Sequence, residues 1–156
     1  MQQSGTNLTR KTVLVVTLSL LLLFFTIPHT LEDFAYGEPG KAGISPQVLA
    51  SGVSAIFAAQ GLALFWTGRQ LRRGYGLHLV LGILWPLGAG AAQLSKIFAP
   101  GPYRAGVISE VYVFGIIIGG ILLALASAYA LMRPQEKTAM QPGDYLENPR
   151  TEEKRV

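Results

Sequence analysis

The chain contains no cysteine, which excludes disulfide frameworks, thiolate metal sites and cysteine nucleophiles. Charge is nearly as scarce: Asp, Glu, Lys and Arg make up 14% of the residues, against about a quarter in a soluble domain. Histidine occurs only as His29 and His78. The topology below puts these two on opposite membrane faces, so no adjacent pair exists to hold a bis-histidine haem. Walker loops, dinucleotide fingerprints, HExxH, nucleophile elbows and the HxE/CxxC pattern are all missing from the sequence. Strand alternation and internal repeats are missing too, and four short helices give little material for the inverted repeats of larger transporters. The net charge of +4 sits in loops beside apolar runs, where it signals membrane topology and not a nucleic-acid partner.

What fills the chain is apolar sequence. Four runs reach the roughly 20 residues that a helix needs to cross a hydrocarbon core. They extend from Thr12 through Ile27 toward Leu31, from Pro46 to Thr67, from Leu77 to Phe98 and from Val107 to Met132. Ser45-Pro46 reads as an N-cap followed by Pro at the first helical position, Pro100-Gly101-Pro102 parts the third run from the fourth, and Arg133-Pro134 ends the last. The fold expected is an all-α membrane protein, an antiparallel bundle of four transmembrane helices over residues 12–133. A short terminus, 1–11, precedes it. The tail, 134–156, is mixed in charge and rich in Pro, which predicts disorder or attachment to a partner.

Basic residues orient the runs. Arg10 and Lys11, then Arg69, Arg72 and Arg73, then Arg133 and Lys137 share one side. The first connection, with Glu32, Asp33, Glu38 and Lys41, and the third, with Arg104 beside Lys96, share the other. The positive-inside bias therefore predicts that both termini are cytoplasmic. Arg10-Lys11 before a Leu-rich core also resembles a secretory signal, but the small-x-small candidate Ala35-Tyr36-Gly37 lies about ten residues beyond that core. An uncleaved anchor is the expectation. The lack of an organelle address points to a bacterial plasma membrane.

Helices associate in lipid through close packing and interhelical hydrogen bonds, so small residues should mark the contacts. Gly115 and Gly119 stand in GxxxG spacing, followed by Gly120 and Ala124; Ser51, Ala55 and Ala59 form a second stripe. Such stripes serve either packing within one bundle or a homodimer face. Trp85-Pro86 predicts a kink in the third helix, with Gln60 and the carbonyl freed near Gly82 as mutual partners. His78, following the basic connection, reads as interfacial.

Orientation converts scattered polar residues into a candidate site. If the first helix continues past Pro28, His29, Glu32 and Asp33 fall at i, i+3 and i+4, on one face. Gln93 and Lys96 end the third helix on the same side, and Glu110 lies near the start of the fourth. A carboxylate within an apolar span is costly and needs a named partner. Lys96, His29 or Arg104 could pair with Glu110, and Tyr112 or Gln93 could donate hydrogen bonds to it. Imidazole beside carboxylates also suits a divalent transition metal, which makes His29, Glu32 and Asp33 the candidate ligands.

The run His29-Thr30-Leu31-Glu32-Asp33 at the end of an apolar helix resembles the motif of the HXXEE family of small multipass membrane proteins. Tyr103-Arg104-Ala105-Gly106-Val107-Ile108 is similar to the Tyr-x-Pro-Gly-x-x segment that opens a later helix in that family. Asp33 stands where the family has a second Glu, Ala105 where it has Pro, and Gln93 where it offers another His. The resemblance implies a membrane protein of poorly defined, enzymatic activity and points at these same residues. The sterol-isomerase-like four-helix family also sets His and acids around an intramembrane cavity, but its His-to-Glu spacing is not reproduced here.

Two functions compete. One is an accessory or binding subunit of a larger membrane complex, partnered by other subunits or a second copy. The other is a membrane enzyme or a small-molecule or metal-binding protein using the outward His/Glu/Asp cluster. The cysteine-free background makes the topology directly testable: a maleimide that cannot cross the membrane should label Lys41→Cys in intact cells and leave Arg69→Cys untouched. The reverse pattern would dissolve the candidate site.

Overall fold

A computed structural model of the chain describes residues 9–132; the tail 134–156 and most of the terminus 1–11 lie outside the described residues. Helix α1 (Arg10–Ala35) is followed by a single turn, α2 (Glu38–Lys41), which the sequence reading did not anticipate. Helix α3 (Pro46–Gly68) and helix α4 (Arg72–Trp85) come next; α4 runs through a π-helical segment, Pro86–Ala91, into α5 (Ala92–Ile97). Helix α6 (Val107–Met132) closes the described chain. No strand occurs among the described residues. Four helical spans, with α4 through α5 counted as one, are long and apolar enough to cross a membrane. This is the architecture of an integral membrane protein.

Local chemistry explains the boundaries. Thr9 and Ser45 cap α1 and α3, each accepting from a backbone N–H three residues on, at 3.4 and 3.3 Å. Helix α3 ends in a Schellman turn: Leu71 N–H donates to the Trp66 carbonyl at 2.9 Å and Gln70 N–H to that of Thr67 at 2.8 Å, with Gln70 in the left-handed region at φ 57°. Pro28 does not stop α1. Its missing N–H costs one bond in the final turns, and the helix continues to Ala35. Pro86 similarly interrupts no more than the spacing of the ladder, because the wider π turn accommodates it.

The packing inverts a soluble pattern. Along α1 the buried residues are Thr12, Val15, Ser19, Leu22, Thr26 and His29. The exposed ones include Val13, Leu14, Leu20, Leu21, Phe24 and Ile27. Lipid solvates the large aliphatic side chains, so small and hydrogen-bonding groups turn inward, where backbones must approach one another. On α6, a Cβ at Gly115 would run into the Phe25 ring of α1, and one at Gly119 would touch Leu22 at 3.7 Å. The neighbouring Gly120 receives the Pro86 ring. A Cβ at Gly82 would lie 2.7 Å from the backbone nitrogen of Ala124 and 2.8 Å from the Gly120 carbonyl. Gly115 and Gly119 thus seat α1, while Gly120 and Ala124 seat α4.

Three of the four spans meet at Gln60. Its amide nitrogen donates to the Ser19 carbonyl at 3.1 Å and to the Ser19 hydroxyl at 3.2 Å, and its oxygen accepts from the Trp85 indole at 3.0 Å. Gln60 and Ser19 are fully buried. The pairing of Gln60 with the Gly82 carbonyl is therefore corrected: that carbonyl lies against Gly120, and Gln60 spends its groups on α1 and α4. Two other expectations also change. Ser51 and Ala55 are exposed and Ala59 half-buried, because α3 turns Val53, Ile56, Gln60, Ala63 and Thr67 inward instead. His78, expected at the membrane surface, is fully buried between helices, since α4 begins at Arg72 and presents Gly74, Tyr75 and His78 to the interior.

Gly120→Leu should abolish folded protein in mild detergent, because neither the Pro86 ring nor the Gly82 backbone can retreat, whereas Ser51→Leu should leave the thermal melt unchanged. Gln60→Ala leaves the Trp85 N–H unpaired and should lower stability by about 1–2 kcal/mol in a detergent unfolding titration. Equal melts for Gly120→Leu and Ser51→Leu would contradict this packing.

Candidate functional site

The last two turns of α1 bring His29, Glu32 and Asp33 onto one face, as helical continuation past Pro28 requires. Each carboxylate is then taken by a different element. The Asp33 Oδ1 accepts from Arg104 Nη2 at 2.6 Å, a charge-assisted bond across the connection that precedes α6. The Glu32 Oε1 accepts from the Ser109 hydroxyl at 3.0 Å, and that hydroxyl in turn accepts from Ala105 N–H at 3.2 Å. His29 Nε2 stands 3.7 Å from Asp33 Oδ2, which permits electrostatic attraction but is too long for a hydrogen bond.

Arg104 is placed by backbone geometry. Its φ of 43° is in the left-handed region, unusual for a residue with a Cβ, and Gly106 at φ 78° closes the same turn through a 2.6 Å bond from its N–H to the Tyr103 carbonyl. Such a conformation costs about 1–3 kcal/mol and persists where surrounding contacts over-determine it. Here those contacts are Asp33, Glu38 at 3.8 Å and the Tyr103 ring, whose centroid is 5.1 Å from the guanidinium carbon. The Arg104 side chain is only 5% exposed.

A second carboxylate centre lies beside the first. Glu38, held by the α2 turn, accepts from Lys41 at 3.0 Å and from Lys96 of α5. The bond from Lys96 is the main reason its carboxyl falls from 4.5 to about 2; Lys41 and Arg104 assist, and burial opposes. Tyr103 responds in the other direction, its phenol pushed up to about 12 by burial. It remains a neutral donor and acceptor.

Several buried polar atoms here have no partner among the described residues. They are both ring nitrogens of His29, the Glu32 Oε2, the Gln93 Oε1, the Tyr103 hydroxyl, and Nε and Nη1 of Arg104. His29 is 1% exposed and Gln93 8%.

No family model and no solved structure matches the chain. The site is therefore read from its own geometry. Of the six candidates, His29, Glu32, Asp33 and Lys96 join one network, linked through Arg104, Glu38 and Ser109, while Gln93 is buried without a hydrogen bond. Glu110 is half-buried and makes no side-chain bond among the described residues. The pairing of Glu110 with Lys96, His29 or Arg104 is thus corrected. Lys96 is committed to Glu38 and Arg104 to Asp33, and the preceding residue, Ser109, is the one turned toward α1.

The metal reading is corrected as well. Among the described residues no three of His, Asp and Glu gather as ligands, and Asp33 and Glu32 bond Arg104 and Ser109 instead. Ser109, Glu38 and Tyr103 were missed as participants. Nothing distinguished Ser109 from any other Ser in an apolar helix, and Glu38 was counted only as loop charge.

The Glu38 carboxyl is stabilised as the anion, so its contribution is full above 4.5 and is lost as the pH falls from there through about 2. Melting temperature should decline across that window, and Glu38→Gln should flatten the decline. An unchanged acid profile in Glu38→Gln would show that the Lys96 and Lys41 bonds do not operate in solution.

Proposed function

We propose that this integral membrane protein is a binding subunit whose outward-facing polar chamber takes the head of a small, neutral, lipid-soluble molecule bearing a hydroxyl or carbonyl group. The observation that carries this reading is the set of unpartnered buried atoms on His29, Gln93, Tyr103 and Arg104. An unmade bond of that kind costs about 1–3 kcal/mol per group, and a ligand offering both a donor and an acceptor would recover it. Three cations, Lys41, Lys96 and Arg104, stand against three carboxylates, Glu32, Asp33 and Glu38. That balance favours a neutral ligand over a strongly charged one. The proximity of His29 to Asp33 supports, as the alternative, acid–base chemistry on the same ligand.

The placement proposed is an antiparallel bundle with both termini cytoplasmic, in a bacterial plasma membrane. The contact order supports it: Phe25 meets Gly115 whereas Leu22 meets Gly119, and Thr67 meets Gly74 whereas Gln60 meets Trp85. Arg69, Arg72 and Arg73 gather at the proposed inner end. Kinship with the HXXEE family belongs to the same proposal, supported by the meeting of His29, Glu32 and Arg104 at one end.

A second reading, an accessory subunit packed against another membrane protein or a second copy, draws on α3. Ser51, Gly52 and Ala55 face outward, and a Cβ at Gly52 or Gly61 would meet nothing within 4 Å. Small residues exposed to lipid favour helix docking.

In nanodiscs, long-chain alcohols should raise the melting temperature of the protein where matching alkanes do not, and His29→Phe or Tyr103→Phe should weaken the effect at least about tenfold, the equivalent of one lost bond. Equal stabilisation by alcohol and alkane would refute the chamber. Co-purification with a stoichiometric membrane partner, undisturbed by both variants, would favour the second reading.

A further inference from the structure

A second buried polar group lies away from the proposed chamber. His78 of α4, Ser127 of α6 and Thr67 of α3 are all fully buried. Both ring nitrogens of His78, the Ser127 hydroxyl and the Thr67 hydroxyl have no hydrogen-bond partner among the described residues.

Their levels follow from the contacts around them. On α4 and α6, Gly82 meets Ala124, and Arg72 Nη2 donates to the Leu131 carbonyl at 3.2 Å. His78 falls between the two α4 contacts and Ser127 between the two α6 contacts, so both occupy one level. On α3, Trp85 bonds Gln60, while a Cβ at Gly74 would lie 2.5 Å from the Thr67 hydroxyl. Gly74 and His78 share a face one turn apart, which sets Thr67 one turn below the ring. The missing side chain at Gly74 is what lets the hydroxyl in.

The chemistry of this group points to one ligand class. Neutral imidazole presents a donor on one nitrogen and an acceptor on the other. Hydroxyls do both. No carboxylate accompanies them, so a cation would find only neutral ligands. The buried apolar residues on these helices, Ala63, Leu81, Leu123 and Ala130, and Val15 of α1 carry no charge. The Tyr75 phenol is committed to Thr12 at 2.8 Å; of the cations at this end, Arg72 is committed to Leu131, and Arg69 and Arg73 lie over the Phe65 and Trp66 rings. A polar interior site of this kind is satisfied by water, which needs two to four such partners.

We propose that His78, Ser127 and Thr67 enclose an internal water site, and that through it the His78 ring exchanges its proton with the aqueous phase at the Arg69–Arg73 end of the bundle. Thr67 is the link to that phase, since it belongs to the last turn of α3. In the other direction the site is closed by the fully buried Leu22 and Leu123 and by the Gln60–Ser19–Trp85 node, whose bonds are already made. The hydrated region therefore reaches part-way into the span and is separate from the chamber at His29.

Only two histidines need to be distinguished, which makes the test direct. Protein labelled with ¹⁵N-histidine and ¹⁵N-tryptophan is reconstituted in bilayers, and His29→Asn assigns the His78 signals by subtraction. Water-edited solid-state NMR should then show rapid transfer from water to the His78 ring and none to the Trp85 indole, an internal dry reference. Ser127→Ala combined with Thr67→Val should abolish the transfer, and Thr67→Ser should retain it. A His78 ring as dry as the Trp85 indole, or one receiving magnetisation from lipid chains, would overturn the proposal. That measurement on the unaltered chain decides the matter even if the double variant does not fold.

Discussion

A bilayer offers no hydrogen bonds to a helix surface, so every polar side chain that turns inward must find its partner inside the bundle. That constraint organises the molecule. At Gln60 it is met in full: one amide joins α1, α3 and α4, and each of its groups is used. At the Glu32–Arg104 end it is met in part, with the carboxylates paired and the His29, Gln93 and Tyr103 atoms left over. At His78 the protein itself does not meet it. Structure, candidate ligand site and internal hydration are three degrees of one satisfaction problem.

The same constraint explains how tightly the small residues are fixed. Dispersion forces between helices in lipid gain strength only at short range. Gly82 against Gly120 and Ala124 lets two backbones touch, and Pro86 uses the space that Gly120 leaves. Large side chains at these places would separate the helices and carry Trp85 away from Gln60. Close approach and hydrogen bonding thus stand or fall together in the centre of the bundle.

Much of this was legible in the sequence, and the failures have physical causes. Run length and cap chemistry located α3 almost to the residue and placed the start of α6 at Val107, since Ser45-Pro46 and the break before the fourth run are local signals. Facing direction was harder to read. In lipid both sides of a helix can be apolar, so periodicity does not mark the interior, and it left open that the Ser51–Ala55 stripe faces outward. The shared face of His29, Glu32 and Asp33 was legible in their helical spacing on α1, yet the partners of these residues were not. Arg104 reaches Asp33 from a left-handed turn, and Ser109 reaches Glu32 by a one-residue difference in facing that took the place expected of Glu110. Such choices are made by the tertiary arrangement of the connections.

The wide turn at Pro86–Ala91 has a consequence for the end of the bundle that carries Glu38 and Arg104. A π-helical bond encloses one residue more than an α-helical one, and one added residue swings everything after it by about 100° around the axis. The azimuth of α5 is therefore set by this single extra amide, and with it the inward aim of Gln93 and the reach of Lys96 to Glu38. Shortening Pro86–Ala91 by one residue would leave the hydrophobic length of the span nearly intact while turning both side chains off their targets, so the segment works as a rotational spacer.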